Sequence, residues 1–202
     1  RFVPSEFGID PSRMEHALEI GKETFGDKMI VRKAIEDAEI PHTYISANCF
    51  GGYFVGNLSQ VDSLMPPRDR VYIYGDGNCK AVFMDEDDVA TYTIKTIDDP
   101  RMLNKTLYLR PQENILTHNQ LVEKWEKLTD KTLEKVHLSA QDFLASMKGV
   151  DIALQAGFAR VYQIYYEGCL MNFEIGEGGE EASKLYPEVR YTRVHEYLQR
   201  YL

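Results

Sequence analysis

Lys28 and Arg32 are the two residues of this chain whose type and spacing point most directly to chemistry. They stand four positions apart within "DKMIVRKAIE", so a helix would carry both on one face. Like charges at this spacing repel by roughly 0.2–0.5 kcal/mol, and an anionic ligand would compensate for that repulsion. The guanidinium would also lower the pKa of the lysine, and a neutral lysine is a usable general base. The alternative is a solvated basic face, in which Arg32 pairs with Glu36 one turn later.

Metal and nucleophilic chemistry have less support in the sequence. No two histidines have the spacing of a helical metal-ligand pair, and no His/Cys cluster occurs. There is no Gly-x-Ser-x-Gly motif, and Cys49 has no basic partner nearby in the sequence. The acidic run "DEDD" lacks the alternating ligands of a calcium loop. We therefore expect no metal site, and we interpret the histidines as surface or structural residues: His16, His42, His118, His137 and His195.

Composition places the chain among ordinary globular proteins. It has 202 residues, 44% of them hydrophobic and 27% charged, which fits one domain or slightly more. The net charge of -9 argues against nucleic acid or an anionic membrane as the main partner. Cys49, Cys79 and Cys169 are too few and too widely spaced for a disulfide framework. No apolar run approaches the roughly 20 residues that span a bilayer, so we expect a soluble protein, most simply cytoplasmic.

The first fifty residues predict part of a doubly wound unit. Apolar residues at helical steps predict a helix over 13–38, which ends before Pro41, and "HTYISANCF" over 42–50 predicts a strand. A βαβ unit with a parallel sheet is the usual solution for such elements. The opening "RFVPSEFG" reads as a strand and a turn without an initiator Met. We expect further sequence upstream, where a doubly wound fold would carry its glycine-rich phosphate turn.

The remainder of the chain alternates strands and helices. "RVYIYGDGNCKAVFM" predicts a β-hairpin, because Gly and Asn tolerate the positive φ of a tight turn. Two helices follow with Asp85 and Thr117 as N-caps. The acidic stretch over 176–183 is predicted to be a flexible loop.

Long blocks of the sequence resemble the plant isoflavone reductase-like family, a group of NmrA-type atypical short-chain dehydrogenases. The blocks include "KMIVRKAIEDAEIPHTYISANCFGGYF", "VFMDEDDVATYTIKTIDDPR" and "NFEIGEGGEEASKLYPEVRYT", and the match extends over essentially the whole chain. Within the family, "IPHTYISANCFGGYF" and "YYEGCLMNFEIGEGGEEASKLYPEV" are most similar to the pinoresinol–lariciresinol reductases.

The resemblance implies an α/β fold and a division into two parts. The chain would be the C-terminal part of a doubly wound Rossmann-type NADP-binding domain together with a smaller α/β substrate domain. Residues 1–50 would form the end of the NADP-binding domain. Residues 51–202 would form mainly the substrate-binding domain, with some segments returning to the Rossmann sheet. A homodimer is also implied.

The activity implied is an NADPH-dependent opening of lignan benzylic ethers, from pinoresinol through lariciresinol to secoisolariciresinol. A base would take the phenol proton, a quinone methide would form, and NADPH would deliver a hydride. A phenylcoumaran benzylic ether reductase or an isoflavone reductase is the alternative. Further alternatives are a non-catalytic NADP-binding regulator and an inactive fragment, although retention of Lys28 argues against the regulator.

The resemblance also implies roles for particular residues. Lys28 would be the general base and Arg32 a ligand of NADP. The other cofactor-binding residues implied are Ser5, Glu6, Phe7, Asn48, Cys49 and Phe50. The substrate-binding residues would be Phe50, Tyr53 and Arg160. By an ungapped comparison, Arg160 stands where some pinoresinol–lariciresinol reductases carry a substrate-contacting histidine, which bears on substrate preference.

Overall fold

Helices and short, mostly parallel strands alternate along residues 1–202, all of which the computed structural model describes. The helices are α1 (Glu23–Asp37), α2 (Gly51–Phe54), α3 (Glu86–Ile97), α4 (His118–Thr129), α5 (Ala140–Ser146), α6 (Ile152–Tyr165), α7 (Ala182–Leu185) and α8 (Val194–Leu198). The strands are β1 (Thr43–Ser46), β2 (Cys49–Phe50), β3 (Arg70–Tyr74), β4 (Lys80–Met84), β5 (Lys105–Tyr108), β6 (Ile115–Thr117), β7 (Glu134–Leu138) and β8 (Gly179–Glu181). The predicted α/β class is confirmed. None of the helices combines the length and apolar character needed to cross a bilayer.

Three small sheets organise the strands. In the first, β5 lies between β1 and β8 and pairs with both in parallel. In the second, β4 pairs in parallel with β2 and antiparallel with β6. The third consists of β3 and β7 in parallel. Strands from the later part of the chain therefore share a sheet with β1, although the predicted domain boundary at residue 50 stays a prediction.

The hairpin predicted between β3 and β4 is wrong. Gly75 and Gly77 have the positive φ that the turn prediction requires, 59° and 74°, but the strands that flank them pair elsewhere. β7 takes one edge of β3. On β3 the backbone N–H of Tyr72 donates to Gln60 Oε1 (2.9 Å), and its carbonyl accepts from Gln60 Nε2 (3.2 Å). Because this amide satisfies backbone groups that a hairpin partner would need, β3 and β4 diverge.

The helix predicted over 13–38 begins ten residues late, as α1 at Glu23. Asp10 caps a separate 3-10 turn at Pro11–Arg13, and Gly21 has a φ of +78°. A left-handed residue cannot continue a right-handed helix. The apolar periodicity before Gly21 therefore belongs to a turn region, and only the second half of the predicted helix forms.

The later helix starts are confirmed, whereas the acidic loop is not. The Asp85 side chain accepts a hydrogen bond from the first turn of α3, and Thr117 forms a reciprocal capping box with Gln120 at the start of α4. The stretch over 176–183 contains β8, which pairs with β5. Glu181, at the end of that strand, then caps α7 through its carboxylate. A backbone ladder and a cap thus order a segment whose composition is typical of a loop.

The hydrophobic core consists of two clusters. The larger contains 27 buried residues, among them Trp125, Phe143 and Ile164. The smaller contains 10, including Ile45 and Leu107 of the β1–β5 pair. Residues from both clusters reappear in the site described below: Ile9 and Phe25 belong to the larger cluster, and Phe7 and Phe50 pack against the smaller.

Gly51 is the position where a small substitution should disturb this packing most clearly. A Cβ there would overlap the ring of Tyr197, whereas a Cβ at Gly26 in α1 would meet open space. We expect Gly51→Ala to lower the free energy of unfolding by about 1–3 kcal/mol through overpacking. Gly26→Ala should raise it by about 0.5–1 kcal/mol through helix propensity. Urea unfolding measures both, and equal shifts would contradict the Tyr197 packing.

Candidate functional site

A cleft of about 180 Å³ opens where the two core clusters meet. A cavity of about 150 Å³ is sufficient for a benzene ring, so this cleft accommodates one aromatic ring. Six of the predicted site residues line it: Phe7, Lys28, Asn48, Phe50, Tyr53 and Arg160. Most of the remaining lining is apolar. The cleft therefore combines a ring-sized apolar space with two basic side chains, Lys28 and Arg160.

Lys28 enters the cleft from α1 and is half-buried. Its Nζ donates a hydrogen bond to the backbone carbonyl of Glu6 at 2.7 Å. Burial lowers the pKa of Lys28 from its ordinary 10.5; the Glu6 carboxylate opposes this, and the guanidinium groups of Arg160 and Arg32 reinforce it. The predicted lowering of the lysine pKa is confirmed, but its main cause is desolvation and not the neighbouring Arg32.

Arg32 faces away from the cleft into a buried ion-pair network. Its Nε and Nη2 bind the two carboxylate oxygens of Glu6 at 2.7 and 2.6 Å. Nη2 also lies 3.0 Å from Asp10 Oδ1. The guanidinium stacks on the ring of Tyr44, with 4.1 Å between Cζ and the ring centroid. Within the chain, Arg32 therefore pairs with Glu6 and Asp10 and not with the predicted Glu36, and its role as a ligand of NADP stays a prediction. Two carboxylates of the chain itself thus compensate for the repulsion between Lys28 and Arg32.

Contacts with Tyr108 and Asn48 hold the Glu6–Asp10 loop in place beside the ion-pair network. Tyr108 donates its hydroxyl proton to Asp10 Oδ2 at 2.6 Å. Phe7, within the loop, has a φ of 34°, and Asn48 opposite has a φ of 60°. Both values lie in the left-handed region, which is unusual for a bulky residue such as Phe. The backbone N–H of Asn48 donates to the Gly8 carbonyl at 3.2 Å, and its side-chain Nδ2 donates to the Leu109 carbonyl at 2.6 Å. Backbone strain of this kind clusters at functional sites.

Arg160 reaches the cleft from α6. Its Nη2 donates to the Gly21 carbonyl at 2.9 Å and to the Thr24 hydroxyl. Its Cζ lies 3.9 Å from the centroid of the Phe25 ring. These contacts fasten α6 to the first turn of α1. Arg160 therefore lines the same space as Lys28 while being anchored by neutral groups.

Four predicted residues lie outside the cleft lining. Ser5 is exposed, and the Glu6 carboxylate is committed to Arg32. Cys49 is fully buried, and burial raises the pKa of its thiol well above the ordinary value. A neutral, inaccessible thiol acts as a small apolar residue. Arg32 completes the four. Of these residues, Glu6 still contacts the site, through its backbone carbonyl.

The sequence analysis missed several lining residues, some of which left a signal. The missed residues are Gly8, Ile9, Phe25, Phe54 and Ile164. Phe25 stands three positions before Lys28 and Ile164 four after Arg160, so helical geometry places each on the same helix face as that predicted site residue. No comparable local signal identifies Asp10, whose role depends on contacts with Arg32 and Tyr108.

A comparison with known proteins gives consistent family matches. The NmrA-like family model matches residues 1–198. An isoflavone reductase homolog of Lupinus albus is 68% identical over 202 residues, which are 100% of this chain and 65% of that protein. A bifunctional pinoresinol-lariciresinol reductase of Linum usitatissimum is 67% identical over 204 residues, again covering 100% and 65%. The solved structure of AtPrR2 with NADP+ and (+)pinoresinol superimposes with a TM-score of 0.96 at 57% identity, covering 100% of this chain and 64% of that one. The chain thus spans about 65% of the length of the curated relatives it matches.

The buried Arg32–Glu6 pair should contribute strongly to stability. Arg32→Met would leave two carboxylates buried without a partner, and we expect the free energy of unfolding to fall by about 3–5 kcal/mol. Arg70→Met provides the control, because the Arg70–Glu134 pair is more than half exposed and its loss should be barely measurable. Urea unfolding of both variants distinguishes the two cases. If both variants lost a similar free energy of unfolding, the buried Arg32–Glu6 pair would contribute no more to stability than the exposed Arg70–Glu134 pair.

Proposed function

The chain belongs to the NmrA-like family, and we propose that it carries the reactive cleft of an NADPH-dependent reductase that opens the benzylic ethers of lignans such as pinoresinol. The observation that carries this proposal is Lys28, a half-buried lysine of lowered pKa in a ring-sized apolar cleft. Such a lysine can take a proton from a phenol that lies against it. The similarity to a pinoresinol-lariciresinol reductase supports the lignan as substrate.

We propose that the nicotinamide of NADPH lies beside the cleft and not inside it, because the volume of about 180 Å³ holds one ring and the substrate ring must occupy it. The side chains of Phe7 and Phe50 offer apolar contact to both rings. The Asn48 side chain is held by Leu109, so it presents a fixed polar edge beside them. When bound, NADPH supplies a hydride. Arg32 lies outside this end of the site, and we propose that it acts on the cofactor pocket only by fixing the Glu6–Asp10 loop.

Lys28 would begin the reaction as a neutral amine. It takes the phenol proton of the substrate, and the phenolate electrons move through the ring to break the benzylic C–O bond. The electron pair of that bond goes to the ether oxygen, which takes up a proton and leaves as a hydroxyl. Addition of hydride at the benzylic carbon restores the aromatic phenolate, and Lys28 can return its proton to that oxygen. The net reaction consumes one NADPH and one proton for each ether opened, so a second cycle could follow on the product.

A sibling activity is the second candidate. The Lupinus albus isoflavone reductase homolog is as similar to this chain as the Linum reductase is, which supports a benzylic ether or isoflavone substrate equally well. A regulator that only senses NADP would not need a lysine of lowered pKa in its cleft. A third candidate is that the 202-residue chain by itself is inert. Pinoresinol conversion is therefore measured for the chain alone and for the chain joined to the part of the Linum reductase that it does not cover, and turnover by the joined protein only would support this candidate.

A cytoplasmic homodimer completes the proposal. Ile30 and Val31 on the outer face of α1 are 70% and 42% exposed, which supports a contact between subunits there. Light scattering of the purified protein would test the dimer, and a monomeric mass at micromolar concentration would exclude it.

Replacement of Lys28 tests the proposed function. We expect Lys28→Met to lower conversion of racemic pinoresinol about 10²–10⁴-fold, the usual contribution of a general base, while NADPH binding is retained. The measurement is product separation on a chiral column, with cofactor binding followed by fluorescence. Lys33→Met is the control, because Lys33 is exposed on the same helix and pairs with Asp37. Full turnover by the Lys28 variant would refute the assignment, and conversion of isoflavones alone would favour the sibling activity.

The pH profile gives a further prediction. Turnover should rise with pH as Lys28 loses its proton, because only the neutral amine accepts the phenol proton. Since burial lowers the pKa of Lys28, this rise should lie below the ordinary 10.5. Single-turnover rates across the pH range measure the rise. An ascending limb that persists unchanged in Lys28→Met would assign it to another group.

A further inference from the structure

Arg160 places a positive charge in the Lys28 cleft that no carboxylate of the chain neutralises. From this juxtaposition we propose that Arg160 is the counter-charge of the phenolate oxygen, so that the cleft binds its phenol as the anion. The proposal rests on the proposed function and adds a specificity-determining residue to it. The ligand class is an aromatic ring bearing an acidic hydroxyl.

The hydrogen-bond partners of Arg160 are all neutral. They are the Gly21 carbonyl, the Thr24 hydroxyl and, at 3.4 Å, the Gln163 side-chain oxygen. Gln163 Nε2 in turn is buried without any partner. Neither Arg160 nor Lys28 takes part in an ion pair. Donors therefore outnumber acceptors around Arg160, which is the arrangement that an incoming anion would complete.

The titratable groups near Arg160 and Lys28 leave the charge of Arg160 without a counter-charge. Glu6 is the acid that attracts Lys28, but Arg32 binds both of its carboxylate oxygens. Cys169 is the titratable group that favours the charge on Arg160, and burial raises the pKa of its thiol to about 12, so it is neutral at ordinary pH. The local charge is thus positive in a protein whose net charge is -9.

The walls of the cleft favour a phenolate over a bare inorganic anion. Phe7, Phe25 and Phe50 line it, and their rings cannot replace the water lost by a phosphate. They can pack against an aromatic ring while its oxygen meets Arg160 and Lys28. An opposite charge within about 4–6 Å commonly lowers the pKa of an acid by about 1–3 units. Arg160 would therefore help Lys28 by making the bound phenol more acidic.

The test uses 4-nitrophenol, which is coloured only as its anion, and the 202-residue chain without cofactor. We expect the pKa of the bound probe, read from its visible absorbance, to lie about 1–3 units below that of the free probe. Arg160→Gln should abolish most of this shift and weaken binding, whereas Arg160→Lys should retain part of it. Arg110→Gln is the matched control. Arg110 is also half-buried and bound to carbonyls, and burial lowers its pKa, but it does not line the cleft.

The outcomes separate this proposal from the lignan assignment. An unchanged probe pKa in Arg160→Gln, with the folded state verified by circular dichroism, would overturn the role of Arg160. Displacement of the probe by inorganic phosphate but not by unsubstituted phenol would also overturn it, in favour of a phosphate site. A shift lost only in Arg160→Gln supports the phenolate subsite even where pinoresinol is not converted, because the probe needs neither NADPH nor turnover.

Discussion

The buried pair of Glu6 and Arg32 is the interaction on which the site depends. Glu6 contributes both its side chain and its backbone: its carboxylate binds Arg32, and its backbone carbonyl accepts a hydrogen bond from Lys28. One residue thus connects the two basic side chains of α1 to the preceding loop. Because Asp10 joins the same guanidinium and Tyr108 holds Asp10, the loop cannot shift without exposing or unpairing a buried charge, which is costly.

The two arginines near Lys28 differ in what neutralises them, and this difference divides their roles. Arg32 contacts two carboxylates and an aromatic ring, so its charge is neutralised within the fold. Arg160 has only neutral partners, so its field remains available inside the cleft. Both lower the pKa of Lys28, Arg160 more than Arg32. The lysine is therefore tuned more by burial and by a residue from α6 than by its neighbour in the sequence.

Local patterns predicted the parts of the site that depend on local geometry. Lys28 is a candidate because of its spacing from Arg32 on a predicted helix, whereas Asn48 and Phe50 are implied by the family resemblance. The partner of Arg32 could not be predicted, because Glu6 lies 26 residues away and nothing in its neighbourhood marks it as buried. The hairpin failed for a related reason: its turn residues behave as expected, but Gln60 and β7 satisfy the edges of β3. Tertiary partners overrode a correct local signal.

The position of the cleft explains why strained backbone is found there. Phe7 and Phe50 pack against the smaller core cluster, whereas Phe25 and Ile164 belong to the larger. A ring bound between them would contact both clusters at once, so its environment depends on how the two are held together. Phe7 and Asn48 hold left-handed conformations at this seam, and the ion pair beside them prevents relaxation. Because Phe7 directly follows Glu6 in the chain, relaxation of this backbone would move the buried Glu6–Arg32 pair, and the cost of unpairing a buried charge opposes such a movement.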